Sequence, residues 1–172
     1  TVLDTARLKE LVGRHIGVDS RNIHSFIIGE HGDSELAVWS SANVSGIDLD
    51  SFCKEKNIEF DENTKKTLAE DVTTSAYRII EGKGATYYAI ADSVRRIVTA
   101  IINDEHSILP ISVLLNGQYG VDNVCLGVPC ILGKNGVVSI LEIKLNDEEK
   151  EKLLNSANIL KEIISEIQLV KI

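Results

Sequence analysis

Apolar residues recur with helical spacing at the start of the chain and then give way to a continuous run. The first pattern predicts a helix over residues 2–16, with Gly17 placed to end it. The second pattern, over 23–28, is rich in β-favouring residues and predicts a buried strand that stops at Gly29. The apolar positions of the helix are Leu3, Leu8, Leu11, Val12 and Ile16. We therefore expect a helix followed directly by a buried strand.

The middle of the chain predicts short extended segments and then a helix. Residues 37–39 and 44–49 favour strands, and a polar connector over 53–63 follows them. Helical spacing returns over 64–80, and Asn63 or Thr64 could cap its start.

A second helix is predicted over 86–103. The sequence Gly82-Lys83-Gly84 separates it from the preceding helix, and Thr86 could cap its first turn. Its apolar positions, which we expect to be buried, are Ile90, Val94, Ile97, Val98 and Ile101.

From residue 108 onward the pattern changes to strands. Apolar and β-branched runs separated by glycine-rich turns predict an antiparallel meander. Asn135-Gly136 is a strong hairpin signal, because both residues tolerate a positive φ. The predicted strands cover 108–115, 124–126, 128–132 and 137–143.

A closing helix is predicted over 147–170. Asn146 could cap it, and the three acidic residues of its first turn complement the positive end of the helix dipole. The elements together predict the α+β class, with helices packed on a mainly antiparallel sheet.

Composition narrows the class of protein. The 172 residues fit one domain, and a net charge of -8 argues against a nucleic-acid partner, because phosphate binding needs clustered Lys and Arg. No apolar run approaches the roughly 18 residues of a transmembrane helix, so no membrane partner is expected. Cys53, Cys125 and Cys130 lack metal-ligand spacing and are expected to be buried free thiols in a reducing cytoplasm. The chain lacks methionine and opens at Thr1, which indicates a processed chain or a piece of a longer one.

Three common chemistries lack their sequence signatures. The four histidines are scattered and no HExxH or CxxC motif is present, so no metal site is predicted. Ser34 follows His31 on a turn, but no GxSxG elbow surrounds it. The segment from Gly82 to Thr86 lacks the third glycine of a dinucleotide-binding loop and joins two helices, so a helix break is the better interpretation.

One set of three side chains remains. His31 follows the strand end between Gly29 and Gly32, and Asp4 and Arg7 lie three residues apart on one face of the first helix. A carboxylate beside an imidazole favours the charged ring, which is a usable proton donor near neutral pH. The fork of an arginine fits a planar substrate carboxylate. The set predicts acid–base chemistry on a 2-oxo or 2-hydroxy acid, while a loop histidine and a surface ion pair remain the alternatives.

Four segments carry a resemblance to the L-lactate dehydrogenases of the lactate/malate dehydrogenase family, and to bacterial members in particular. They are Leu3-Asp-Thr-Ala-Arg7, Ile28-Gly-Glu-His-Gly-Asp-Ser34, Lys83-Gly-Ala-Thr86 and Leu145-Asn-Asp-Glu-Glu149. The resemblance covers the whole chain. It implies that residues 1–172 are the substrate-binding and catalytic C-terminal domain, and that the N-terminal dinucleotide-binding (Rossmann) domain is absent from this chain.

The resemblance also implies roles for individual residues. His31 would give a proton to the carbonyl oxygen of pyruvate, and Asp4 would accept a hydrogen bond from the other ring nitrogen. Arg7 would hold the substrate carboxylate. Thr86 would line the substrate pocket, and Ile90 would pack against the nicotinamide ring.

For the parent enzyme, the resemblance implies a cytoplasmic homotetramer that interconverts pyruvate and L-lactate in glycolysis and fermentation. Its cofactor would be NAD, bound mainly by the missing domain, so the isolated chain is expected to be inactive and to bind NAD poorly. Fructose 1,6-bisphosphate is a possible allosteric activator, at a subunit interface that includes His24 and Lys9, although an arginine is more usual at the second position. The alternatives are a malate dehydrogenase, which Glu30 disfavours, a branched 2-hydroxy-acid dehydrogenase, and a non-enzymatic assembly module that retains the fold.

Overall fold

Two three-stranded antiparallel sheets form the centre of the chain in the computed structural model, which describes residues 1–167. The strands are Ile23–Ile28 (β1), Leu36–Val44 (β2), Ile47–Asp48 (β3), Ser107–Asn116 (β4), Asp122–Gly133 (β5) and Gly136–Ile140 (β6). The first sheet has the order β1-β2-β3 and the second the order β4-β5-β6. They meet where Gly29 and Gly127 exchange two backbone hydrogen bonds of 2.8 Å.

Five α-helices pack around these sheets in the described part of the chain. They are Val2–Ile16 (α1), Leu49–Lys56 (α2), Glu62–Lys83 (α3), Tyr88–Ile102 (α4) and Asp147–Glu166 (α5). The predicted end of the closing helix, at 168–170, lies outside the described residues. The α+β class and the antiparallel meander are confirmed, and none of the described helices is long and apolar enough to cross a bilayer.

The first sheet separates two hydrophobic cores. Successive residues of a strand point to opposite faces of its sheet, so Ile27 packs with Leu8 of α1 on one side and Ile28 packs with Leu126 and Leu153 on the other. Each of these five side chains is at most 1% exposed. Because it is buried on both faces, β1 gives the loop that follows it a rigid starting point.

The predicted connector over 53–63 is wrong at its start. Residues 49–56 form α2, whose N-terminus is capped by the Asp48 side chain accepting a hydrogen bond from the Ser51 N–H, and whose C-terminus is the left-handed Asn57. Leu49 and Cys53, four residues apart, are its buried contacts. The three charged residues that end this helix, Lys54, Glu55 and Lys56, have the composition of a connector, which is why the helix was not predicted. The extended segment predicted over 37–39 lies within the longer strand β2. Of the segment predicted over 44–49, only residue 44 belongs to β2, and 47–48 form β3.

The caps predicted for the two central helices are also wrong. Asp61 caps α3 by accepting a hydrogen bond from the Thr64 N–H. The helix therefore begins at Glu62, two residues before Thr64. It continues through Gly82 and ends at the left-handed Gly84. Thr86 does not cap α4, which begins after Tyr87 without a side-chain cap.

The apolar stripe predicted to be buried on α4 is largely exposed. Ile90, Val94 and Val98 are 47%, 53% and 44% exposed, because the helix packs on the rest of the chain through its Ala100 side. Helical periodicity identifies an apolar face without identifying what covers it. Likewise Cys125 is exposed, whereas Cys53 and Cys130 are the buried free thiols that were expected.

Candidate active site

Gly29 fixes the direction in which the chain leaves β1. Its φ of 96° is one that residues with a side chain rarely adopt, and an added Cβ would lie 2.8 Å from the Ser156 Oγ. That same Oγ accepts a hydrogen bond of 2.8 Å from the Glu30 N–H. The loop is therefore anchored to α5 immediately before His31, whose side chain is 70% exposed.

The first turn of α1 is anchored to the same strand. The Thr5 Oγ1 accepts a hydrogen bond of 2.9 Å from the Ile27 N–H, which places the neighbouring Asp4 beside the end of β1. The Asp4 side chain is only 4% exposed. Its Oδ2 lies 2.9 Å from the His31 Nδ1, within ion-pair distance although the two groups are not aligned as a hydrogen bond.

Arg7 completes the set that the sequence predicted. Its Nη1 donates a hydrogen bond of 3.3 Å to the Asp4 Oδ1, and its side chain is 16% exposed. Asp4 thus lies between a guanidinium on one oxygen and an imidazole on the other. The structure brings Asp4, Arg7 and His31 together; their chemical roles stay predictions.

A cavity of about 320 Å³ lies in front of this set. Asp4 and His31 are among its polar lining residues, and Ile90, Ile97 and Pro110 are among its apolar ones. Ile90 and His31 thus line the same cavity, and the predicted contact of Ile90 with a nicotinamide ring stays a prediction. Thr86 is half-buried and, like Arg7, does not line this cavity.

The predictions from the sequence did not include one side chain of this site, that of Glu35, which lies four residues after His31 in the chain. Its carboxyl is 3% exposed, its Oε1 accepts a hydrogen bond of 3.3 Å from the Thr73 hydroxyl, and its Oε2 lies 3.9 Å from the His31 Nδ1. Burial, and after it the charge of Asp4, raises the pKa of Glu35 to about 7. An acidic residue directly before the buried run of β2 was the signal that could have found it.

Asp4, His31 and Glu35 offer three ligand atoms within 4.8 Å of one another. Spacing of this kind admits a metal ion. The guanidinium of Arg7 already supplies positive charge to the Asp4 carboxylate, however.

The two residues predicted to bind an activator are not joined to each other. His24 is exposed on β1, and Lys9 is half-buried on α1, where burial lowers the pKa of its ammonium group. No hydrogen bond or ion pair links them within residues 1–167. Their part in an interface between subunits stays a prediction.

Comparison with known proteins gives concordant matches along the whole chain. Residues 1–170 match the family described as lactate/malate dehydrogenase, alpha/beta C-terminal domain. An L-lactate dehydrogenase of Acetivibrio thermocellus is 52% identical over 169 residues, which are 98% of this chain and 53% of that protein. L-lactate dehydrogenase 1 of Clostridium acetobutylicum is 51% identical over 167 residues, which are 97% of this chain and 53% of that protein.

A solved structure agrees with the fold. The ligands-bound form of the minor L-lactate dehydrogenase from Enterococcus mundtii superposes with a TM-score of 0.92 at 40% identity, covering 99% of this chain and 54% of that one. The chain therefore spans about half the length of the relatives that it matches.

Proposed function

Because the chain belongs to the lactate/malate dehydrogenase family, as its alpha/beta C-terminal domain, we propose that it is the proton-transfer and substrate-carboxylate-binding half of an NAD-dependent L-lactate dehydrogenase. The observation that carries the proposal is the contact of Asp4 with both Arg7 and His31, where Asp4 and His31 line a cavity. The relatives named L-lactate dehydrogenase, which are 52% and 51% identical to this chain, support pyruvate and L-lactate as the substrates.

His31 is the proton donor in this proposal. In pyruvate reduction its imidazolium gives a proton to the carbonyl oxygen, and in lactate oxidation the neutral ring takes the hydroxyl proton. Asp4 faces the Nδ1 side of the ring, which leaves Nε2 for the substrate and stabilises the charged ring. The exposure of the His31 side chain suits this role, because the ring must reach a substrate in the cavity.

Arg7 binds the substrate carboxylate in this proposal. Its contact with Asp4 uses only Nη1, so other N–H groups of the fork are available to the carboxylate of pyruvate or lactate. Thr86 lines the substrate pocket of the complete enzyme, although it lies outside the cavity wall in this chain.

The nicotinamide of NAD, when bound, supplies or accepts the hydride at the substrate carbon. The apolar lining of the cavity fits such a group, since Ile90 presents a half-exposed aliphatic side chain to the cavity that His31 also lines, and this side chain suits one face of a flat ring. The remainder of NAD is bound by a dinucleotide-binding domain that lies outside these 172 residues. The exposed apolar face of α4, formed by Ile90, Val94 and Val98, supports a covering partner of this kind.

The complete enzyme is proposed to be a cytoplasmic homotetramer. Fructose 1,6-bisphosphate would bind at a subunit interface that includes His24 and Lys9, and both residues have their side chains at least partly exposed. A bisphosphate needs clustered positive charge. Each subunit would contribute Lys9 and His24 to such a cluster.

The direct test compares the full-length protein with the isolated 172-residue chain. With NADH, the full-length protein should reduce pyruvate in preference to oxaloacetate and to branched 2-oxo acids, and the isolated chain should show no turnover. A preference for oxaloacetate would favour the malate alternative. Absence of dehydrogenase activity toward all three acids in a folded full-length protein would favour the assembly module.

A further inference from the structure

The imidazole of His31 faces two buried carboxylates. On its Nδ1 side, the Asp4 Oδ2 is 2.9 Å away and the Glu35 Oε2 is 3.9 Å away. Asp4 already has a role in the proposed proton transfer, and the guanidinium of Arg7 at its Oδ1 balances its negative charge. The second carboxylate has no assignment in the proton-transfer step described above.

Glu35 is held in a fixed position. It directly precedes the buried Leu36 at the start of β2, and Thr73 of α3 donates a hydrogen bond to its Oε1. The Oε2 is buried and has no hydrogen-bond partner within the described chain. A buried acceptor without a partner is rare in folded proteins and often marks a functional site.

The charges around Glu35 come from several elements. From α1 and the chain start, Arg7 and the Thr1 amino group favour its ionised form, and Asp4 disfavours it. Lys66 and Glu70 of α3 and Glu148 and Lys152 of α5 line the adjoining cavities, and so does Asp33 of the loop. Burial is the largest effect, and the pKa of about 7 means that Glu35 gains or loses its charge near neutral pH.

We propose that Glu35 is a positioning residue for His31, a second carboxylate whose charge strengthens the hold of the imidazole on the proton that it delivers to substrate. This inference rests on the proposed function, because it concerns the proton that His31 gives to the substrate in that function. When Glu35 is neutral, the imidazolium faces one anion, and when Glu35 is ionised, it faces two. His31 therefore becomes more basic as Glu35 loses its proton.

Glu35→Gln separates this role from a merely structural one. Glutamine has the same shape and keeps an oxygen for the Thr73 hydroxyl, but it cannot become charged. A residue that only fills space would leave the titration of His31 unchanged in this variant.

The experiment is an NMR titration of the His31 ring in the 172-residue chain between pH 5 and 9, with EDTA present. Glu35→Gln should lower the midpoint of the ring titration by about 0.8 pH unit, a six-fold change in proton affinity, which is the effect of one charge at about 4 Å in water. The wild-type curve should also show a second inflection near neutrality that the variant lacks. Glu35→Asp, which restores a carboxylate, should move the midpoint back toward that of the wild type.

Glu55→Gln is the matched control, because Glu55 is exposed on α2 and pairs with Lys56. It should leave the His31 curve unchanged. If Glu35→Gln does not fold, as judged by near-ultraviolet circular dichroism, Thr73→Val removes the hydrogen bond that lowers the pKa of Glu35 and should move the second inflection to higher pH.

Coincident His31 curves in wild type and folded Glu35→Gln, or an unmoved inflection in Thr73→Val, would overturn the inference. The readout does not depend on turnover. A shifted midpoint together with an inactive full-length protein would contradict the proposed function alone, and an active enzyme with an unshifted midpoint would contradict this inference alone.

Discussion

Two buried glutamates, Glu149 and Glu35, differ in how completely their carboxylates are hydrogen-bonded. The Glu149 Oε1 accepts hydrogen bonds from the Trp39 and Ser40 N–H groups at 2.8 and 2.9 Å, and its Oε2 accepts one from the Asn146 N–H at 2.9 Å. Glu35 has one hydrogen bond, of 3.3 Å, and an oxygen without a partner. The first carboxylate joins α5 to β2, whereas the second lies behind an exposed histidine.

The comparison separates structure from function. Burial of a carboxylate is unfavourable unless hydrogen bonds replace those to water. Glu149 meets that condition, so its hydrogen bonds stabilise the fold. Glu35 does not meet it. Its Oε2 has no hydrogen-bond partner and lies near the ring of His31, which we propose transfers a proton. Variants at the two regions should therefore change different measurements.

The largest effect is expected at the exposed member of the site. His31→Gln in the full-length protein should lower the turnover of pyruvate by about 10²–10⁴-fold, or about 3–5 kcal/mol in the barrier, because the general acid is lost. Its thermal stability should stay within about 0.5 kcal/mol of the wild type, because the side chain is largely exposed. Steady-state kinetics and a thermal melt measure both quantities. Unchanged turnover would remove His31 from the chemistry.

The opposite result is expected at Glu149. Glu149→Ala should lower the free energy of unfolding by about 3 kcal/mol, since it leaves backbone N–H groups of Trp39, Ser40 and Asn146 without partners, although Asn146 still caps α5. Glu148→Ala is the matched control: the neighbouring side chain is 72% exposed, so its effect should stay below about 0.5 kcal/mol. Urea unfolding of both variants is the measurement. Equal stabilities would show that the hydrogen bonds of Glu149 contribute nothing net.

The sequence was sufficient for the parts of this comparison that depend on local pattern. Asn146 caps α5 as predicted, and the capping box with Glu149 is a local pattern of the same kind. Asp4 and Arg7 share a helix face because they are three residues apart, and His31 follows a strand that ends at a left-handed glycine.

What the sequence could not supply depends on contacts between distant segments. The partners of Glu149 on β2 are more than 100 residues away, and Glu35 acquires its character from α1 and α3. The α4 face has helical periodicity whether or not another element covers it, so the pattern predicted burial where Val94 is exposed. Local pattern defines the elements, whereas the satisfaction of each buried group is decided by tertiary packing.

Arg7 tests whether the site binds a carboxylate at all. Arg7→Lys keeps a positive charge near Asp4 but loses the planar fork, so the KM for pyruvate should rise by roughly 10–100-fold, about 1.4–2.7 kcal/mol, with a smaller change in kcat. Arg14→Lys, at an exposed position of α1 where Arg14 pairs with Glu10, is the matched control and should leave KM unchanged. A near-normal KM in Arg7→Lys would contradict the carboxylate-binding role.

The smallest effect concerns the pH dependence of stability, and it distinguishes the two glutamates directly. The folded-state pKa of Glu35, about 7, lies above its ordinary value of 4.5, so between these pH values the folded chain binds more protons than the unfolded chain. Its contribution to stability is therefore present below about pH 4.5 and is lost as the pH rises through 7.

Glu35→Gln removes this titration, so the variant should gain about 2 kcal/mol relative to wild type between pH 4.5 and 8, after allowance for partial screening by solvent. Urea unfolding across this range measures the difference, and the exposed-site variant Glu55→Gln should show none. A constant difference between Glu35→Gln and wild type would mean that Glu35 is already ionised throughout the range, and that its unpartnered oxygen is satisfied in solution as fully as those of Glu149.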